Sequence, residues 1–206
     1  EAFLQQVKQE YIQKIDDLIA SFTDVTDAER QELIKDGESF KVQIRNATKQ
    51  SDIAYIWTRA QDTIHLYFEN VEKARQHAID EIYTYIQQLS YGEKELIYIQ
   101  TLAAEQEELV NKMASIEEIK KVSGEFITLI NQLHEELVDT KTTVCKELDS
   151  LIKSWYTDSQ KEYLTVMIDD AKNQIMLAGN QEEVNIYKDS CIQEATQYIE
   201  QLTKTM

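Results

Sequence analysis

The apolar side chains follow one pattern that repeats three times along the chain. Within each copy they have the i, i+3, i+6, i+7 and i+10 spacing, which places them on one face of an α-helix. The first copy is Ile12, Ile15, Leu18, Ile19 and Phe22, the second is Ile79, Ile82, Tyr85, Ile86 and Leu89, and the third is Cys145, Leu148, Leu151, Ile152 and Trp155. Because a fixed period of about 66 residues is typical of modular arrays, the pattern predicts three tandem copies of one structural unit.

A second apolar block repeats in step with the first. Its copies are Ile44, Ala47, Ile53 and Ile56; Val110, Met113, Ile119 and Val122; and Ile175, Ala178, Val184 and Tyr187. Together the two blocks predict three helices in each copy, whose apolar faces form a shared core. The predicted turns lie near residues 23–26, 48–51, 90–92, 114–117, 156–158 and 179–182.

Helix-capping sequences occur at these turns. Capping-box spacing joins Thr26 with Glu29, Ser90 with Glu93, Thr157 with Gln160, Ser115 with Glu118, and Asn180 with Glu183. In such a box the cap side chain accepts from the third amide of the helix, and the Glu or Gln accepts from the amide of the cap. At the second turn of the first copy, Thr48 or Lys49 is the predicted cap. These sequences predict where the middle and last helices begin.

Two segments pass from one copy to the next without a helix-breaking residue at the junction. Residues 52–89 contain neither Pro nor Gly, and in residues 118–155 the one glycine, Gly124, lies near the start. Each segment predicts a single long helix that ends one bundle and begins the next. The predicted fold is therefore all-α, with three tandem three-helix bundles over residues 1–68, 69–135 and 136–206 fused into a spectrin-like rod. Gly37, in the middle of a helix, predicts a close approach of a neighbouring helix.

Composition supports this fold and narrows the range of partners. The 206 residues include no Pro and four Gly, so long helices and short turns are expected. The 38 acidic and 21 basic side chains give a formal charge of −17 without a visible basic stripe. Nucleic acid and anionic membrane surfaces are therefore not expected as partners. No apolar run approaches the ~18 residues of a transmembrane helix, so membrane insertion is not expected either.

The residue types that support catalysis or metal binding are scattered. His65, His77 and His134 lie off the apolar stripe, and none has a His or Cys partner three or four residues away. No carboxylate occupies a predicted apolar position, where burial would raise its pKa for acid–base work. The chain also lacks a Gly-rich phosphate loop and a nucleophile elbow. We therefore expect no enzyme, no catalytic residue, no metal site and no cofactor.

Aromatic side chains divide into two groups. Those on the repeated stripe are predicted core residues: Tyr67, Phe126, Trp155 and Tyr198. Three others, Trp57, Tyr83 and Tyr98, are less clearly placed, and if exposed they would form a binding patch.

The two cysteines, Cys145 and Cys191, are the candidate site residues. Both occupy positions that are apolar in the other copies, so both sulfurs are expected to point into the core of the last bundle. Helix rise places them at nearly the same height on neighbouring helices, about 14–15 Å from one end of the bundle. One alternative is a pair of buried reduced thiols that act as small hydrophobes. The other is a disulfide, which requires an oxidising compartment.

The turn at residues 44–53 (IRNATKQSDI) and the segment at residues 25–29 (VTDAE) resemble a known family. They are similar to turns in the three-helix-bundle repeats of Gram-positive cell-wall surface proteins, of the albumin-binding and extracellular-matrix-binding type. The resemblance covers the chain three times and implies a surface-displayed stalk or adhesive segment, in some cases with a host-protein ligand. The two cysteines depart from it, because Cys is rare in such repeats. No ligand-contact pattern matches, so no binding residue is carried over.

Three functions fit these observations. The first is a non-enzymatic structural or adhesive rod of a surface protein, monomeric and extracellular or attached to a cell wall, that serves as a spacer or binds a host protein. The second is a cytoplasmic spectrin-like scaffold that binds partner helices in its grooves. The third is lipid carriage by opening of the bundles. Scarce Lys and Arg at the polar–apolar boundaries of the helices argue against this last function.

Overall fold

A computed structural model describes residues 2–204, and this part of the chain forms seven α-helices and no β-strand. The helices are α1 (Ala2–Ala20), α2 (Asp27–Asn46), α3 (Gln50–Gln87), α4 (Glu93–Lys112), α5 (Ile116–Asp149), α6 (Asp158–Leu177) and α7 (Gln181–Lys204). The all-α prediction is confirmed, and each predicted turn overlaps an interruption between two helices.

The two long helices are continuous. α3 contains 38 residues and α5 contains 34. Neither is interrupted at residues 68–72 or 134–138, where a break would have contradicted helix sharing between successive copies. The prediction of two long helices is confirmed, and the arrangement of the helices as three fused bundles stays a prediction.

The C-terminal end of α5 differs from the prediction, because the helix ends at Asp149 rather than at Trp155. The Ser150 hydroxyl donates to the carbonyl of Glu147 at 2.6 Å, and the Ser150 amide donates to the same carbonyl at 3.1 Å. Local bonds of this kind compete with the helical ladder. Trp155 consequently leaves the helical stripe, and its side chain is 76% exposed. Its predicted core position is wrong.

Most N-terminal caps follow their sequence signals. Thr26 caps α2 and Thr157 caps α6, each in a complete capping box. The Ser115 hydroxyl accepts from the third amide of α5 at 3.3 Å, and Asn180 Oδ1 accepts from the third amide of α7 at 3.0 Å. Lys49 directly precedes α3, and its carbonyl accepts from the amide of Ile53 at 3.4 Å. The starts of α2, α5, α6 and α7 are therefore specified by local side-chain chemistry, whereas the bond at the start of α3 joins backbone atoms.

The start of α4 is an exception, and the predicted Ser90 capping box is wrong. α4 begins at Glu93, and the Gly92 carbonyl accepts its first helical bond from the amide of Leu96 at 2.9 Å. Gly92 thus takes the repeat position that the threonine caps hold in the other two copies. Glycine is one of the residues that occur often at helix N-caps, although it offers no side-chain acceptor there.

The predicted stripe forms the buried interior. Fully buried side chains occur on α1 to α6, namely Ile15, Leu33, Ile44, Ile53, Ile64, Ile82, Ile99, Ile119, Ile130, Leu148, Leu164 and Ile168, and Val184 on α7 is equally buried. Each such side chain stabilises the fold by about 1.5–3 kcal/mol relative to leaving it in water. Hydrophobic burial is therefore the main force that holds these helices together.

The described residues group into two compact units. Within residues 2–204, the first comprises residues up to 81 together with 107–123, and the second comprises residues 82–106 together with those from 124 onward. α1 packs against α2 in the first unit, and α6 packs against α7 in the second. The boundaries of the units fall within α3, α4 and α5. The division of the chain into bundles at residues 1–68, 69–135 and 136–206 stays a prediction.

A cation at one repeat position bonds to the C-terminal end of the middle helix in every copy. In the first copy, Lys8 Nζ donates to the carbonyl of Arg45 at 2.8 Å. In the second, Arg75 Nε and Nη2 donate to the carbonyl of Met113 at 3.0 and 2.7 Å. In the third, Lys141 Nζ donates to the carbonyl of Met176 at 3.0 Å. The last carbonyls of a helix lack intrahelical partners and carry partial negative charge. The three cations supply the missing donors, so each ties two helices together.

Two glycines lie at close helix contacts. A Cβ on Gly37 would lie 2.3 Å from Ile19 Cδ1 and 3.3 Å from Ile15 Cγ2, which confirms the predicted close approach, here between α2 and α1. Gly179, in the turn between α6 and α7, lies against the backbone at the start of α4 in the second unit. A Cβ there would be 2.5 Å from the Lys94 carbonyl oxygen.

Candidate functional site

Cys145 and Cys191 lie in or against the core of the second unit, and both are free thiols. Cys191, on α7, is 3% exposed, and Cys145, on α5, is half-buried against the same core. Burial raises the pKa of both thiols. Because the thiolate is the reactive form, both are weak nucleophiles at neutral pH. The disulfide alternative stays a prediction, which thiol titration under denaturing, non-reducing conditions tests.

The aromatic side chains largely support the core rather than an exposed patch. Tyr67 and Phe126 are each 4% exposed, so their predicted core positions are confirmed. Tyr198 is half-buried and stacks on Tyr163 with a centroid distance of 4.1 Å. The three less clearly placed rings, Trp57, Tyr83 and Tyr98, are all half-buried.

A buried polar pair in the second unit contradicts the expectation that no carboxylate occupies an apolar position. Glu95 is 7% exposed and lies one turn before the buried Ile99 on α4. Its Oε1 is 2.7 Å from His134 Nδ1, and Tyr91 stacks on the imidazole at a centroid distance of 3.8 Å. The sequence signal for this pair was the position of Glu95 four residues before the stripe residue Ile99, because that spacing places both on the same face of the helix. His134 lies off the repeated stripe, as the sequence indicated, and its side chain is 31% exposed beside this carboxylate.

The groups around this pair bond mainly to one another. The Tyr85 hydroxyl donates to Asn131 Oδ1 at 2.6 Å, and the Tyr91 hydroxyl approaches the same oxygen at 3.4 Å. Burial raises the pKa of Tyr91, so its hydroxyl stays protonated as a donor. Buried polar groups that satisfy one another hold neighbouring elements in a fixed register. We interpret the cluster as a structural polar contact between α5 and the start of α4.

A groove of about 670 Å³ runs between α6 and α7 of the second unit. Its buried lining residues are Ala171 and Cys191. Val166 and Ile186 also line it, yet their side chains are 68% and 58% exposed. Tyr163, which is 51% exposed, adds aromatic surface to the same groove. The groove also contains Asp170 and Glu194, so exposed aliphatic and aromatic side chains lie beside acidic ones. A mixed groove of this kind between two helices can accept the apolar face of a partner helix.

Residues 2–204 include neither a metal-binding cluster nor a helix that could span a membrane. This range contains no group of three or more His, Cys, Asp or Glu side chains arranged to hold a metal ion. None of its helices combines the length and apolar character that a membrane span requires.

Comparison with protein-family models, with curated proteins and with solved structures finds no match to this chain.

Proposed function

We propose that the chain is a non-enzymatic structural or adhesive rod segment of a surface protein, in which three repeated helical bundles act as a spacer or bind a host protein. The uninterrupted course of α3 and α5 supports this proposal. A helix shared by two successive bundles leaves no flexible linker between them, and arrays of this kind extend in one dimension. The repeated cations at Lys8, Arg75 and Lys141 add the same helix-to-helix bond in each copy.

An intracellular spectrin-like scaffold in the cytoplasm is the alternative. Reduced thiols at Cys145 and Cys191 would favour it, because reduced cysteines are usual in the cytosol. The binding form of the first proposal and the scaffold both give the chain a protein partner, and they differ in where that partner is found.

Retention of partner proteins on the immobilised chain separates the two proposals. The chain is presented in parallel to blood serum and to a cytosolic lysate, and specific retention is judged by competition with excess free chain. A serum protein that the free chain displaces supports the surface function. A partner retained from the lysate alone supports the scaffold. If nothing is retained from either, the binding role is contradicted and only a spacer role remains.

A further inference from the structure

We propose that the groove between α6 and α7 is a docking site for a cationic amphipathic helix of a partner protein. This inference rests on the proposed protein-binding role and names the chemistry of the partner. Its first support is exposed aliphatic surface. Val166 and Ile186 face the groove while largely open to solvent, and Leu177, three turns after Val166 on the same face of α6, is 70% exposed. Exposed apolar residues grouped in this way mark interaction sites.

The other two copies of the repeat provide an internal comparison. The positions equivalent to Val166 are Lys35 and Thr101, and those equivalent to Ile186 are Tyr55 and Lys121. The same helical positions are thus mostly polar elsewhere in the chain, so the fold does not require aliphatic residues there. Their presence in the third copy alone points to a surface that is specific to this copy.

Charge identifies the kind of partner. Asp170 and Glu194 line the groove, and none of the described residues that line it is basic. Lys172 and Lys188, in the middle of α6 and α7, pair with carboxylates of α5 at 2.7 and 2.8 Å. The groove consequently keeps its negative charge, which favours Lys and Arg on the partner. A second copy of this chain, with a net charge of −17, is a poor occupant for the same reason.

The geometry of the groove favours a helix. α6 and α7 are joined by the short turn at residues 178–180, so they form an antiparallel pair. The groove between two such helices accepts the ridge of side chains that a third helix presents at i, i+3, i+4 and i+7. Aliphatic residues on that ridge would contact Val166 and Ile186. Basic residues beside the ridge would reach Asp170 and Glu194.

A designed peptide tests the proposal on the full chain. The probe is a fluorescein-labelled helix of about 18 residues, long enough for five turns, with Leu and Ile on one face and Lys on the rest. One control peptide has the same composition in scrambled order, and another has Glu in place of every Lys. Fluorescence anisotropy should show binding of the probe, with both controls weaker by about tenfold or more. A scrambled peptide that binds equally well would overturn the proposal, because attraction to net charge alone would then explain binding.

Variants of the chain locate the site. Val166→Thr combined with Ile186→Lys copies the residues of the second repeat at these two positions, so the helices should be retained. This double variant should bind the probe about tenfold more weakly or worse. Leu109→Lys is the matched control, because it adds the same charge at an aliphatic side chain on α4 that is 57% exposed. Its affinity should stay within about twofold of the unmodified chain, a difference of about 0.4 kcal/mol.

Three outcomes would overturn the groove assignment: no binding of the probe, no loss in the double variant, or an equal loss in Leu109→Lys. Circular dichroism of each variant verifies that its helix content is unchanged. A protein retained specifically from serum would leave the proposed function standing even if the groove assignment failed. The two failures are therefore distinguishable.

Discussion

At the scale of single residues, the surroundings of two glycines predict opposite effects of the same substitution. A Cβ on Gly179 would lie 2.5 Å from the Lys94 carbonyl oxygen and 3.0 Å from the Glu95 amide nitrogen, and backbone atoms at a helix start cannot easily move. Gly124 lies inside α5, is exposed, and has nothing within 4 Å of the place a Cβ would take. Glycine is needed at position 179 because there is no room for a Cβ. At position 124 there is room, and glycine only lowers the stability of the helix.

Gly179→Ala should lower the free energy of unfolding by about 1–3 kcal/mol, because the added methyl group overpacks the contact with α4. Gly124→Ala should raise it by about 0.5–1 kcal/mol, because alanine is the better helix former. Urea unfolding followed by far-UV circular dichroism measures both changes. Equal effects of the two substitutions would contradict the packing assigned to Gly179.

Tyr67 predicts a dependence of stability on alkaline pH. Its hydroxyl donates to the Ala114 carbonyl at 2.7 Å, and burial raises its pKa from 10.0 to about 12, with Glu29 and Glu32 adding to the effect. In the unfolded chain the phenol loses its proton first, so the contribution of Tyr67 to stability falls as the pH rises from about 10 to about 12.

The test compares the unmodified chain with Tyr67→Phe and with Tyr55→Phe, whose ring is 66% exposed. Unfolding free energies are measured across this pH range. Tyr67→Phe should lose stability less steeply than the unmodified chain, and Tyr55→Phe should follow the unmodified chain. Parallel curves for all three proteins would rule out the assigned environment of Tyr67.

At the scale of helices, a cation from a neighbouring helix completes the end of each middle helix. In the first unit, the Arg75 side chain is 12% exposed, bonds the Met113 carbonyl through two nitrogens and lies 3.5 Å from Glu29. Arg75→Met leaves that carbonyl without its donor and should cost about 1.5–3 kcal/mol.

Lys73→Met is the matched control for this substitution. Lys73 lies two residues earlier on α3, is 69% exposed and forms an ion pair with Glu69. Loss of such a surface pair costs about 0.3–0.5 kcal/mol. Denaturant unfolding of both variants under the same conditions measures the difference. If the two costs were equal, the bond from Arg75 to the helix end would contribute nothing specific.

Helix positions could be predicted from sequence because their signals are local. Periodic apolar residues and the threonine caps at Thr26 and Thr157 act within a few residues of the backbone they specify. The end of α5 was missed because the apolar stripe continues to Trp155, whereas the helix ends at Asp149, next to the local bond from Ser150 to the Glu147 carbonyl. The capping by Arg75 and the pairing of Glu95 with His134 were missed because each depends on a partner about forty residues away. Such contacts become visible only when the helices are packed.

The candidate groove was missed for a related reason. Val166 and Ile186 are aliphatic residues off the repeated stripe, and a single off-stripe aliphatic is common on protein surfaces. Their significance comes from facing one groove together and from their polar equivalents in the other copies. The polar residues at the equivalent positions could be read from the aligned repeats. That Val166 and Ile186 face one groove became visible only from the antiparallel pairing of α6 and α7.

At the scale of the whole molecule, the proposed function requires that α3 and α5 join three bundles into a rod, and this arrangement is a prediction. Both helices are continuous through the predicted junctions. Seven helices arranged in this way would give a rod of roughly 100 Å from helix rise alone. A uniform rod of that length has a radius of gyration of about 30 Å. A compact globule of the same chain length has one of about 17 Å.

Small-angle X-ray scattering of the monomer tests this claim most directly, with the mass verified by sedimentation velocity. We predict a radius of gyration near 30 Å and a pair-distance distribution with a long tail. A radius of gyration near 17 Å with a symmetric distribution would contradict the fused rod.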